Sequence, residues 1–305
     1  MRAYVALVSV CFFWGTTYLG IRMALESFPP LLLVSLRFVA SGSIMLAVAI
    51  LQGRYLPRGK ELWIAVLSGV IVLGVGNFCL VYAETMIASG LASLFITVSP
   101  FWLVGIEAVL PGGERLHPPA IAGMLVGLFG VALLVMPDLR SGAHKNLLYG
   151  ALLLQVGNAA WSFGSIFQRR QPARSHPVLI GAVQQLAAGL AFLPPALLVR
   201  EHPIQWGTRG VGGLIYLIVF GSIVGYSAYA YALDKLPVAI VSIYPYVNTV
   251  VAVALGWLFY REPFGGREAL SMAIIFAGVA LVKYTTRGSR RRRIPAEPSP
   301  VASEA

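Results

Sequence analysis

Two short groups of aromatic and hydrogen-bonding residues set the chemistry this chain can do. Trp14, Thr17 and Tyr18 lie three or four residues apart, as do Asn158, Trp161 and Ser165, with Gln155 three residues before Asn158. On a helix such spacings gather each group on one face. Indole and phenol rings beside amides and hydroxyls recognise a small polar or amphipathic molecule without reacting with it. Asn77, Tyr226, Tyr229, Tyr244 and Asn248 extend the same chemistry to other apolar stretches. Covalent chemistry finds no such support. His117, His144, His176 and His202 fall between apolar runs, no His/Asp/Glu set has metal-ligand spacing, and no paired carboxylates share a helix face. A GxxxxGK[ST] phosphate loop is absent, so ATP is not used directly. No cofactor is expected.

The elements that carry these residues are apolar. The chain is 58% hydrophobic and 11% charged, well under the ~25% charged residues of a soluble domain. Lipid is therefore the expected solvent for most of its surface. Apolar runs at about 3–25, 31–52, 62–84, 89–110, 119–137, 148–168, 177–198, 211–233, 237–260 and 267–285 have the length of membrane-spanning helices. The ten-residue alternation of barrel strands is missing. The first run lacks a small-x-small cleavage pattern and reads as a retained span. Cys11 and Cys79 fall within spans and read as packing residues.

The chain is also written twice. Trp14-Gly15-Thr16-Thr17-Tyr18 answers to Trp161-Ser162-Phe163-Gly164-Ser165, Gly76-Asn77 to Gly225-Tyr226, and Gly130-Val131-Ala132-Leu133-Leu134-Val135 to Gly278-Val279-Ala280-Leu281-Val282. This offset of about 148 residues implies duplicated halves, residues 3–137 and 148–285. Five helices per half is an odd number, so the second half enters the bilayer from the opposite side. The expected fold class is an all-α membrane protein of ten transmembrane helices arranged as two inverted five-helix repeats, with a substrate site between them. Inverted halves can exchange conformations and so expose one site to either side in turn. A secondary transporter is the leading expectation; a lipid scramblase or flippase, or a membrane-embedded enzyme, are the alternatives.

The net charge of +11 does not point to nucleic acid, because no reader of bases accompanies it. With an inner N-terminus, the inner segments hold Arg2, Arg54, Arg58, Lys60, Arg115, Arg169, Arg170, Arg174, Lys235, Arg287 and Arg290 to Arg293. The outer loops hold only Arg140, Lys145, Arg200, Arg209, Arg261 and Arg267. This bias places both termini in the cytoplasm. Residues 286–305 read as a basic, disordered cytoplasmic tail against anionic headgroups.

Trp14 to Tyr18, Phe28-Pro29-Pro30, Arg37-Phe38, Ser89-Gly90-Leu91-Ala92-Ser93 leading to Pro100, and Tyr244 to Asn248 leading into Val250-Val251-Ala252-Val253 together resemble the EamA-type members of the drug/metabolite transporter superfamily. The resemblance covers residues 3–285 in two tandem copies. It implies a ten-helix carrier of the inner or plasma membrane, many of whose relatives export amino acids or similar metabolites. One departure is Thr249, where the family often has proline after the asparagine. Pro245, a turn earlier, is expected to bend that helix instead.

Charges at span ends carry a further expectation. Arg22, Glu26, Arg37 and Glu84 lie within about two turns of the outer face, and Arg37 is the deepest. The repeat offset maps Arg22 onto Arg169, and Asp234 falls one residue past the position matching Glu84. Arg22, Arg37, Glu84, Arg169 and Asp234 are therefore candidate gate residues, with Glu84 the expected partner of Arg37 and Glu26 of Arg22. The competing reading is that these arginines snorkel to headgroups. Glu107 is the one carboxylate well inside a span. Pro100 and Pro245 should free carbonyls inside spans. Gly123, Gly127 and Gly130 form a close-packing face on helix 5, directed at helix 10 or at a second copy in a homodimer through helices 5 and 10.

Overall fold

The structure, a computed structural model, describes residues 1–112, 118–141, 145–171, 174–199, 201–236, 238–241 and 243–293. Arg115, His117, His144, Arg200 and residues 294–305 lie outside them, as do the side chains of Arg140, Lys283, Arg287 and Arg290 to Arg293. All regular structure among the described residues is helical. Among the described residues six helices are long and apolar enough to cross a bilayer: α1 (Arg2–Leu25), α2 (Pro30–Leu51), α3 (Lys60–Ala83), α4 (Ser89–Val109), α7 (Pro177–Leu198) and α8 (Thr208–Lys235). Between and after them come α5 (Pro118–Ser141), α6 (Lys145–Arg169), α9 (Val238–Val241), α10 (Tyr244–Tyr260) and α11 (Gly266–Arg293). Helix α6 carries amides and hydroxyls that lower its hydropathy; Asn158 and Ser162 among them are buried. Hydrocarbon has no partner to offer such groups, so they face protein.

Two helix boundaries differ from expectation. Helix α11 runs to Arg293, past the anticipated end at 285, because no proline intervenes before Pro295 and arginine is a good helix former. Pro100 and Pro245 do not bend continuous helices. Each sits in the first turn of a new helix, Pro100 after a break at Thr97 and Val98 and Pro245 at the start of α10. The first turn has no intrahelical use for an N–H, so proline is tolerated there.

Helices α3 and α8 each contain a widened π segment, Val70–Val75 and Leu217–Val224. Such segments insert a residue into the α-helical ladder and turn the following side chains to a new face. Each ends at a glycine, Gly76 and Gly225.

Glycine decides which helices touch. Helices α2 and α7 cross with backbones in contact: a Cβ added at Gly42 would come within 2.4 Å of the Leu186 nitrogen, and one at Gly189 within 2.4 Å of the Val39 nitrogen. Ser35 Oγ, buried in the same crossing, donates to the Gly189 carbonyl at 2.9 Å. Helices α5 and α11 form a second such pair, where a Cβ at Gly278 would lie 2.5 Å from the Gly127 nitrogen and one at Gly123 2.8 Å from the Gly278 oxygen. The glycine face of α5 is thus filled by α11 of the same chain. Other contacts come in matched sets. α1 packs on α8 as α6 packs on α3, α2 on α8 as α7 on α3, and α1 on α10 as α6 on α4.

The α2–α7 crossing generates a prediction. Gly42→Ala forces a methyl group into the Leu186 backbone, and overpacking of this kind costs about 1–3 kcal/mol. The melting temperature of the purified protein in detergent should fall, and an unchanged value would show that the crossing can open without loss.

Candidate functional site

The two π segments deliver the site. Trp14 on α1 lies against Gly225, where a Cβ would be 2.5 Å from its Nε1, and Trp161 on α6 lies against Gly76 at 3.5 Å. Each tryptophan therefore rests on the glycine that follows a π segment in the other half of the chain. Trp14 Nε1 also donates to the Gly221 carbonyl at 2.9 Å, inside the π segment of α8. A π turn leaves carbonyls poorly paired in the ladder, and an indole N–H supplies a donor.

Between these tryptophans is a cavity of about 130 Å³, room for roughly four water molecules at ~30 Å³ each. Trp14, Thr17, Tyr18, Asn77, Asn158, Trp161, Tyr226, Tyr244 and Asn248 all line it, from α1, α3, α6, α8 and α10. Three expected residues do not. Tyr229 stands behind the wall, its ring 5.0 Å from Trp14 and 5.6 Å from Tyr244. Gln155 turns to α4, where it accepts from Trp102 Nε1 at 2.9 Å. Ser165 lies beyond the cavity, because at neighbouring Gly164 α6 closes on α3; a Cβ there would be 2.5 Å from Val72 Cγ2.

Side chains take up the carbonyls around the helix breaks. Asn158 Nδ2 donates to the Phe95 carbonyl at 2.9 Å, just before the break in α4. Asn248, with its amide nitrogen facing the carbonyls, donates to Tyr244 at 2.9 Å and Cys11 at 2.8 Å. Thr249 Oγ1 reaches the carbonyls of Pro245 at 3.0 Å and Ser93 at 3.2 Å. The breaks are therefore held by hydrogen bonds to protein, as backbone at membrane depth must be.

An amide network on α7 went unread in the sequence. Gln185 lines the cavity and accepts from Ser41 Oγ at 2.5 Å. Gln184 accepts from Tyr226 at 2.9 Å and donates to Ser68 and Gln168 at 3.0 and 2.7 Å. The signal was two adjacent glutamines inside an apolar run. Pro245 also joins the wall, with Gly221, Ser222 and Ser99; the last three are small residues that no residue-type argument selects.

The charged residues are arranged differently from expectation. Arg37 lines the cavity, is 7% exposed, and donates from Nε to Ser222 Oγ at 2.9 Å. It forms no ion pair with Glu84, whose two carboxylate oxygens are buried without a hydrogen-bond partner. Arg22 does not pair with Glu26. It donates to the carbonyls of Glu84 and Ile87 at 3.0 and 3.3 Å, because α3 ends at Ala83 and leaves its last carbonyls open to a cation. Glu26 accepts instead from the Tyr260 hydroxyl at 2.6 Å and lies 3.6 Å from Arg209. At the opposite end of α4, Glu107 holds both Arg169 at 2.7 Å and Arg170 at 3.0 Å. Asp234 pairs with its neighbour Lys235, at 2.9 Å and exposed. Glu262, also unread in the sequence, accepts from the Ser89 and Gly90 nitrogens at 2.8 and 2.9 Å and so caps α4. Among the described residues no cluster of His, Cys, Asp and Glu could hold a metal ion.

Comparison with known proteins places this geometry. Residues 1–136 and 148–284 each match the EamA-like transporter family. The uncharacterised inner membrane transporter YedA of Escherichia coli is 33% identical, over 91% of this chain and 89% of its own. A probable terminal-alkyne amino-acid exporter of Streptantibioticus cattleyicolor is 26% identical, over 95% and 96% of the two chains. A solved crystal structure at 23% identity superposes with a TM-score of 0.65, covering 93% of this chain and 98% of that one, and shares the fold.

The break in α4 makes a prediction of its own. Asn158→Ala leaves the Phe95 carbonyl without its donor, and a stranded buried acceptor costs about 1–3 kcal/mol. The melting temperature should drop accordingly, and no change would mean that water replaces the amide.

Proposed function

The chain belongs to the EamA-like transporter family, a family of multi-pass membrane transporters, and on that premise we propose that it exports a small metabolite of the amino-acid class by alternating access. The observation that carries this reading is the cavity itself, with Trp14 and Trp161 seated on each other's half. Aromatic faces beside the amides of Asn77, Asn158, Asn248 and Gln185 suit a compact molecule with an apolar body and polar ends. The named amino-acid exporter among the relatives favours the same class.

Two inverted repeats of five helices supply the mechanism. The 148-residue offset, the double family match, the matched helix contacts and the paired π segments all support that arrangement. Exchange of the two half-conformations would open the cavity first to one side and then to the other. Arg22 and Arg169, mapped onto each other by the repeat, are the proposed gate residues: each ties its helix to α3 or α4 at opposite ends of the bundle. The setting is the inner membrane with both termini cytoplasmic, on the charge bias of the loops.

Purified protein in liposomes tests the reading. Labelled amino acids should cross with the wild type, and Trp14→Ala or Trp161→Ala should cut the rate at least tenfold, since a central aromatic contact is worth a few kcal/mol. Equal transport by both variants would remove the site from this cavity, and movement of labelled lipid instead would replace the carrier by a scramblase. The orientation has a separate check. Cys11 and Cys79 are buried, so an impermeant thiol reagent applied outside should modify Ser141→Cys and spare Arg174→Cys. The reverse pattern would invert the topology.

A further inference from the structure

Glu84 is the least explained charged residue of the described chain. Its side chain is 1% exposed, and both carboxylate oxygens lack a hydrogen-bond partner. The hydrogen bonds recorded for the donors around it go to other groups. Arg22 is given to the backbone carbonyls of Glu84 and Ile87, Arg37 donates from Nε to Ser222, and the amides of Ser89 and Gly90 are held by Glu262. An ionised carboxylate buried without a single hydrogen bond is prohibitively costly, whereas the neutral acid is tolerable.

We propose that Glu84 is a proton-binding site, and that its charge is coupled through Arg37 to the cavity. In the arrangement seen here one carboxylate oxygen carries a proton taken from water, and Arg37 is left to Ser222 and the cavity. When that proton returns to water, the carboxylate becomes an acceptor for the nearest free cation. Arg37, bound to Ser222 through Nε, then turns its Nη groups to Glu84, and its charge is drawn away from the cavity.

The surroundings set the balance. Glu84 is the residue after the span Lys60–Ala83. Burial disfavours its charged form most, Glu262 adds to that, and Arg22 on α1 with Arg37 on α2 oppose it. Four elements thus converge on one carboxyl group at the end of the bundle where α1 and α3 finish and α4 begins. Giving this proton a place in a transport cycle rests on the carrier reading above; its binding does not.

Infrared difference spectra of the purified protein, taken across a pH series, read the proton directly. The carbonyl band of a neutral carboxylic acid should be present at pH 7, vanish in Glu84→Gln, and persist in Glu107→Gln. Its midpoint should rise in Arg37→Gln and fall in Glu262→Gln, each by about one pH unit or more, the effect of removing a close charge. Stability gives a second readout. A group protonated in the fold and ionised in the unfolded chain makes the melting temperature decline as pH rises between the two pKa values, and Glu84→Gln should flatten that decline. Absence of the band at pH 7, or its survival in Glu84→Gln, overturns the proposal whether or not the protein carries a metabolite. In liposomes that do carry one, proton movement driven by substrate should be lost in Glu84→Gln; its survival there would separate Glu84 from coupling.

Discussion

A carbonyl released from a helix in hydrocarbon finds no water, and that constraint organises this protein. Each departure from the α-helix must be answered by another part of the chain, which confines departures to places where partners converge. The π segments of α3 and α8, the break in α4 at Thr97 and Val98, and the start of α10 at Tyr244 all border the same cavity. Trp14, Asn158, Asn248 and Thr249 answer them. Trp14, Asn158 and Asn248, which hold the backbone together, also face the cavity.

Close helix contact is the second condition. Glycines clasp the α2–α7 and α5–α11 pairs, and the first pair supplies Arg37, Phe38 and Gln185 to the cavity wall. Without a hydrophobic force between helices in lipid, such backbone contact and buried hydroxyl bonds do most of the association. Gly76 and Gly225 differ in function: they let Trp161 and Trp14 rest against the backbone of the other half.

Charge is used sparingly and over long distances. Glu262 caps a helix that begins 173 residues earlier, and Arg22 neutralises the carbonyl end of α3. Both follow from the dipole of a helix terminus. Among the described residues Arg37 is the one charge on the cavity wall, held by a serine from the other half of the chain.

The sequence alone determined the solvent, the helical class, the internal duplication and most of the polar face: Trp14, Thr17, Tyr18, Asn158 and Trp161 were legible because hydropathy and helical spacing are local properties. The tertiary structure decided the rest. Gln155 and Ser165 share a helix with Asn158 and still miss the cavity, since Trp102 of α4 takes the Gln155 amide and α6 closes on α3 at Gly164. Pro100 and Pro245 were visible as residues, but whether a proline bends a helix or begins one depends on which side chains stand ready to take the freed carbonyls. Glu84 was expected opposite Arg37 by height along the bundle. Its true surroundings depend on the competing partners Ser222, Glu262 and the carbonyl of Ile87. Those partners come from separate stretches of the chain, and only packing brings them within hydrogen-bond reach.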